Sequence, residues 1–281
     1  MFFCKILRVF CAALTVSAAL FCLPVIAVES AACVANTCFS SPQKSQQFLI
    51  APYLFGPDIQ GEAEVQGISA AFDYSVEDLA SGINAGGMGY LFWERGPDFF
   101  YMEGLGFRYK DRISAFQDKL LSAEIALLEF GYGRNYCVTS RQPNADCSFI
   151  ISPYIGLRHT QMDISIKLNE GGIEGILLPL AGLPNVYQAQ ERWLDPAAGA
   201  ILQYQISPLV RLYTKGDIAG LGVGYNDYWN IMAVLHLQAT QHWSIAGGYR
   251  VTDFNATPGG GNKIKMDLHG EGPLFGVIYN F

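Results

Sequence analysis

From Leu274 to Phe281 the side chains alternate without a break. Phe275, Val277, Tyr279 and Phe281 share one face, and Leu274, Gly276, Ile278 and Asn280 share the other. A period of two is the side-chain spacing of a β-strand. The pattern recurs upstream. Phe149, Ile151, Ile155 and Leu157 oppose Ser152, Tyr154, Gly156 and Arg158, and Val210, Leu212 and Ile218 oppose Arg211, Tyr213, Lys215 and Asp217. Apolar residues on one face and polar ones on the other, repeated between turn signals, suit a barrel with lipid outside and a polar lumen.

The N-terminus carries a leader. Lys5 and Arg8 precede an uncharged apolar run from Val9 to Val28, and Val25-Ile26-Ala27 offers a cleavage site after Ala27, with Ser30-Ala31-Ala32 as a second. An uncleaved signal anchor is the alternative, because the run nearly reaches the length that spans a bilayer as a helix. Phe21 before Cys22 rules out a lipoprotein site. Downstream no other apolar run reaches spanning length, so a chain that stays in a membrane must close a barrel, where no sheet edge is left unpaired. We therefore expect a signal peptide over 1–27, a periplasmic segment over 28–46 and a barrel over 47–281.

Charge and cysteine usage agree with export. Two of the 18 basic residues leave with the leader, so the mature chain is more acidic than the −7 of the whole. That balance argues against a nucleic-acid partner. Cys4, Cys11 and Cys22 also leave. Cys33, Cys38, Cys137 and Cys147 remain, an even set suited to an oxidising compartment. Spacing suggests Cys33–Cys38 and Cys137–Cys147, although four cysteines allow three pairings.

Strand and turn signals give eleven segments: 47–56, 64–74, 84–94, 98–110, 119–136, 148–168, 190–206, 209–219, 228–240, 243–254 and 265–281. Arg95-Gly96-Pro97, Ser207-Pro208 and Thr240-Gln241-His242 read as tight turns. The stretches 169–189, 220–227 and 255–264 read as long loops. Short turns mark the periplasmic side and longer loops the outside, which puts Phe281 and the 137–147 loop in the periplasm. Trp93 and Trp243 fall beside tight turns and Trp229 beside a long loop, as an interfacial girdle requires, although tryptophan also fills cores. Bacterial barrels have even strand numbers. The odd segment is 64–74, because Ser75-Val76-Glu77-Asp78 follows it as a capping box with a short helical run to Gly82. Residues 57–83 then form a strand-helix excursion over or inside an all-β antiparallel transmembrane barrel of ten strands, with twelve as the alternative.

Two irregularities accompany this pattern. Glu124 and Glu129 have opposite parity within one strand, so one lies outside the hydrocarbon or follows a bulge. After His159 the apolar parity switches to Met162, Ile164, Ile166 and Leu168, which reads as the strand leaving the bilayer as a hairpin arm.

Five short pieces, in order, carry a family likeness. They are Ala51-Pro52-Tyr53-Leu54-Phe55, Trp193-Leu194-Asp195-Pro196, the run Gly216 to Gly224, Gly247-Gly248-Tyr249-Arg250, and Gly272-Pro273-Leu274-Phe275-Gly276 with the residues to Phe281. The chain resembles a widespread family of Gram-negative outer-membrane β-barrel proteins. Phe55 departs from the tryptophan usual there, and the Cys137–Cys147 loop is longer than the family's turn. The resemblance implies fold and location and supplies no catalytic residues. Phe275, Val277, Tyr279 and Phe281 resemble the terminal signal read by the barrel assembly machinery.

Candidate chemistry is sparse. Gly220, Gly222 and Gly224 are spaced like a phosphate loop, but no helix with a lysine follows. His242-Trp243-Ser244 has the spacing of a hydrolytic histidine and serine, yet falls at the periplasmic end, the wrong side for outer-leaflet lipid. His159, His236 and His269 lack metal-ligand spacing, and no cofactor is expected. Arg108, Glu124, Arg158, Arg211, Lys215, Asp217 and Arg250 are the lumenal or rim charges. They either fill a narrow barrel as ion pairs or line a solute path, and ten strands is close to the size that side chains fill. The expected role is therefore a structural or surface-interacting barrel rather than an enzyme, with a small-solute channel or a lipid-modifying enzyme as alternatives. Expected partners are outer-membrane lipids and lipopolysaccharide, the assembly machinery during biogenesis, and small solutes if the lumen is open.

Overall fold

The computed structural model describes residues 46–281 except 66–67, 114–118, 141–146, 168–185, 221–225 and 257–263. The leader, Cys33 and Cys38, Gly222 and Gly224, and most of the long loops lie outside the described residues. The elements are β1 (Gln47–Phe55), β2 (Asp58–Val65), β3 (Ile68–Tyr74), α1 (Val76–Gly82), β4 (Ile83–Arg95), β5 (Asp98–Ile113), β6 (Lys119–Arg134) and β7 (Tyr136–Ser140), followed by β8 (Cys147–Lys167), β9 (Val186–Ser207), β10 (Val210–Ala219), β11 (Asn226–Gln238), β12 (Trp243–Ala256) and β13 (Ile264–Asn280).

Ten of these strands form the wall, in the order β1-β4-β5-β6-β8-β9-β10-β11-β12-β13, and β13 returns to β1 to close it. Every neighbour is antiparallel, as short connections between consecutive strands require. Gly96, at φ 61°, makes the tight turn between β4 and β5 at the end that carries Phe281. β7 pairs with the start of β8 at that same end, where Cys137 and Cys147 are bonded with S–S 1.98 Å.

The excursion holds two strands where the sequence pattern suggested one. β2 pairs with the first half of β13, and β3 folds back on β2. Asp58, Gln60 and Glu62 alternate with Ile59, Gly61 and Ala63, and the small inward residues hide the strand from a hydrophobicity reading. α1 follows the expected capping box. The Ser75 hydroxyl donates to Asp78 Oδ2 at 2.6 Å, and the Asp78 amide donates back to Ser75 Oγ at 3.3 Å.

Outside, the wall is apolar. Leu54, Ile155, Leu194 and Phe275 are each more than 60% exposed (73%, 69%, 62% and 62%), an arrangement that water would not tolerate over so wide a belt. Aromatic rings border it at the Phe281 end. Tyr132 touches Phe100 and Phe100 stacks on Trp93, which is the register partner of Phe48. Phe48 then meets Phe281, and Tyr279 bridges Phe281 to Trp243.

Inside, side chains stack in three layers. Nearest Phe281 lies an aromatic layer with Phe92, Phe99, Tyr101, Tyr154 and Tyr213. Gly131 and Gly133 make room for it, because a Cβ there would sit 2.0 Å from the Tyr101 ring and 2.4 Å from that of Phe99. A layer of charges comes next. The third layer is apolar, with Met162, Ile164, Ala219, Phe254 and Met266. This third layer explains the parity switch after His159. β8 keeps its register on β6 and β9 to Lys167, so the strand does not flip. Past the charges it simply turns apolar inward and polar outward, with Gln161 and Asp163 facing out while Met162 and Ile164 are buried. The far part of β8 and β9 nevertheless extends as a hairpin arm, because β9 pairs with β10 only as far as Ala197↔Ala219 while its pairing with β8 continues to Val186↔Lys167. β6 likewise has no bulge against β5 or β8, and Glu124 faces outward while Glu129 points into the lumen.

Candidate functional site

The charged layer is assembled from seven wall strands. β5 supplies Glu103, β6 Glu129, β8 Arg158, β10 Lys215 and Asp217, β11 Asn230, β12 Arg250, and β1 adds Tyr53. Strand alternation aims each of them inward. Three cations face three carboxylates in direct contact, and a further buried carboxylate, Asp195 of β9, stands opposite Arg158 in the ladder. Lys215 is 1% exposed and its ammonium serves all three carboxylates, at 2.7 Å from Glu103, 3.0 Å from Glu129 and 3.5 Å from Asp217. This solves a local conflict, because Glu103 and Glu129 are direct register partners and like charges opposed across a ladder repel.

The two arginines complete the plate. Arg158 bridges Glu129 and Asp217, the latter at 2.6 Å, with its guanidinium 3.6 Å from the centre of the Tyr228 ring. Arg250 donates to Asn230 at 2.7 Å, Glu103 at 2.9 Å, Tyr228 at 3.2 Å and Tyr53 at 3.3 Å. Asn230 in turn donates to Asp217 at 2.8 Å. Charge-assisted bonds of this kind, closed into one network, hold side chains in fixed positions across the lumen.

A cavity lies on each side of the plate. The one toward Phe281 has a volume of about 110 Å³ and touches Glu103. The other, about 300 Å³, touches Arg250. The two share no lining residue. The Arg250–Glu103 pair stands between them.

Of the charges singled out by sequence, Arg158, Lys215, Asp217 and Arg250 meet in this plate. Arg211 faces the lumen nearer Phe281, bonded to Gln205 at 2.9 Å and Gln203 at 3.1 Å. Arg108 and Glu124 pair at 2.9 Å on the outer face of the wall, at the opposite rim. Glu103 and Asn230 carry no mark of their own in the sequence, whereas Glu129 stands out there only by its parity and Tyr53 only within the first family piece. Glu103 shares parity with Phe99 and Tyr101, and that was the signal available.

The remaining candidates stay apart. His242 is exposed, with Nδ1 2.8 Å from the Asn280 carbonyl oxygen, whereas Ser244 is buried in the lumen and its hydroxyl has no hydrogen-bond partner among the described residues. The pair makes no dyad. His236 stacks on Tyr213, and His269 lies 3.4 Å from Asp253 on the outer face. Among the described residues no cluster of ligands suits a metal ion. Gly220 adopts φ 87°, where only glycine fits easily, and its role is to turn the chain after β10.

No protein-family model matches the chain, and no curated protein matches its sequence. Among solved structures it is similar to the outer membrane protease OmpT of Escherichia coli, at 9% identity and TM-score 0.48 over 86% of this chain and 99% of that one. It is also similar to Ail, the attachment invasion locus protein of Yersinia pestis (8%, TM-score 0.34, 84% and 99%), and to Neisserial surface protein A (14%, TM-score 0.30, 84% and 97%). At this distance nothing about activity passes from those proteins to this chain, and its fold class, a closed antiparallel β-barrel of ten strands, rests on its own strand pairing.

Proposed function

We propose that this chain is exported to a Gram-negative outer membrane and serves there as a closed-lumen barrel, a structural or surface-interacting scaffold rather than a pore. The apolar outer belt and its aromatic border support membrane residence. Closure is supported by one observation above others: a plate of ion pairs separates the two lumenal cavities. An ion crossing it would have to displace paired charges, and each buried group left unpaired costs several kcal/mol. The outward Arg108–Glu124 pair and the strands beyond it form the surface offered to partners outside the cell.

Planar-bilayer recording tests the closure. The folded protein should give no discrete conductance steps, and regular steps of one size would sink the closed-lumen reading. Membrane residence has a cheaper test. Boiled and unboiled samples of a membrane fraction should migrate differently on a gel, and co-migration of a soluble protein would refute it. Separation of His242 from Ser244 favours a non-enzymatic role. Lipid profiles of cells carrying Ser244→Ala should match those of the wild type.

A further inference from the structure

Among the described residues the wall opens in a window between β1 and β4. Pairing between β1 and β4 runs from Gln47↔Glu94 to Pro52↔Gly89 and stops there. Beyond that point β1 continues on β13 to Phe55↔Leu274, and β4 continues on β5 back to Ile83↔Tyr109. Tyr53–Phe55 and Gly86–Met88 therefore form two facing lips that no strand pair joins among the described residues. Pro52 brings no amide N–H to the ladder, and after Gly56-Pro57 the chain follows β13 as β2, away from β4. α1 makes the upper edge. Its first amide, at Val76, donates to Asp58 at 2.8 Å, and Leu79 is buried against Ile59 and Phe107.

Behind the window lies the 300 Å³ cavity, at the small end of the ligand-pocket range. Its lining is mostly apolar, with Phe55, Met88, Leu105, Leu127, Met162 and Phe254. Four polar side chains line it, of which Tyr228 accepts from Arg250 and Thr252 donates to the Trp229 carbonyl oxygen. The Arg250 guanidinium is committed to the plate, whereas the buried Thr160 hydroxyl has no hydrogen-bond partner among the described residues. The plate makes the cavity a dead end. Glycine keeps the lip low: at Gly87 and Gly89 a Cβ would meet nothing within 4 Å, so no packing contact demands glycine there.

The height of the opening selects its occupant. Leu54 and its register partner Phe275 are the last large apolar side chains facing outward on β1 and β13. Above them the outward face carries Asp58 and Glu271, and across β5 and β6 Arg108 and Glu124. The window thus sits at the outer edge of the apolar belt, where lipid chains join their headgroups.

We propose that this cavity binds one hydrocarbon chain of an outer-leaflet lipid, which enters sideways through the β1–β4 window. The site recognises hydrocarbon and not a headgroup, because its lining offers no uncommitted charge. The polar end of the chain stays at the lips, where unpaired backbone groups meet ester oxygens and water. The proposal rests on the membrane reading above.

Photo-labelling tests both separately. The full-length protein in liposomes is irradiated with a phospholipid carrying a diazirine on one acyl chain, and labelled residues are mapped by mass spectrometry. Label is expected on outward Leu54 and Phe275 and also on lumenal Phe107 and Met162. Gly87→Trp, which fills the lip, should abolish the lumenal label and keep the outward one. Gly87→Leu provides a smaller replacement, and heat-modifiable mobility verifies that each variant is folded. Outward label without lumenal label in the wild type overturns this proposal alone, as does lumenal label that survives in both folded variants. Absence of label from Leu54 and Phe275 overturns the membrane reading itself. A parallel arm uses a free diazirine-bearing alkane. Lumenal labelling by the alkane and not by the phospholipid would assign the cavity to free apolar molecules and refute a lipid chain.

Discussion

At the scale of single residues, the lumen is governed by charge balance. Lys215 touches all three carboxylates of the plate, so Lys215→Met leaves a buried net negative charge with Glu103 and Glu129 opposed across the ladder. Loss of one partner of a buried network costs about 3–5 kcal/mol, and the variant should unfold from liposomes at a correspondingly lower denaturant midpoint. Lys215→Met combined with Glu103→Gln removes one charge of each sign and should recover part of the loss, a non-additivity that marks direct coupling. Arg108→Ala is the contrast. Its pair with Glu124 is solvated on both sides, so the midpoint should stay within about 1 kcal/mol of wild type. Four of the plate's charges were legible in the sequence because Arg158, Lys215, Asp217 and Arg250 break apolar strands at a consistent parity. Glu103 was not, since Tyr101 and Phe99 beside it on the inward face look like lipid-facing residues until the barrel closes around them.

At the scale of elements, the excursion shows how far local chemistry carries. The capping box from Ser75 to Asp78 announced α1 correctly, because reciprocal bonds to backbone groups depend only on neighbours in sequence. Hydrogen bonds from the Ser75 hydroxyl and amide hold the Asp78 carboxyl below the usual carboxylate range. A depressed acid stabilises its helix above the unfolded value and loses that contribution as pH falls through the folded one. Ser75→Ala should therefore move the Asp78 titration upward, seen by carbonyl NMR. It should also quicken amide exchange at Leu79, whose N–H donates to the Ser75 carbonyl, with the wall unchanged. β2 was hidden for the opposite reason. Beyond Ile59 its inward residues are the small Gly61 and Ala63 and its pairing with β13 is long-range, so its alternation carries little hydrophobic contrast. The same holds for the window, since a missing pair between two strands leaves no trace in the alternation of either.

At the scale of the whole molecule, alternation and turn spacing were enough for the ten-strand wall, because lipid permits few ways to satisfy a backbone. Closing that wall is the most non-local event in the chain. Gln47 donates to Asn280 at 3.1 Å across a sequence separation of 233, and the Phe281 amide donates to the Phe48 carbonyl at 3.0 Å. Contacts so distant are slow to form, so the first strand waits for the last. The Phe281 ring packs at 5.2 Å on Phe48 and 4.8 Å on Tyr279, and the resemblance to a terminal assembly signal proposes a second, separable role for it. Phe281→Ala distinguishes the two roles. Refolded from urea into liposomes without any assembly factor, the variant should lose only the aromatic contacts, about 0.5–1.5 kcal/mol beyond the buried area, and still run as a heat-modifiable barrel. In cells the folded yield should fall much further, because recognition fails before the seam can close. Equal losses in both settings would make the ring a seam contact alone and leave the assembly signal to Phe275, Val277 and Tyr279.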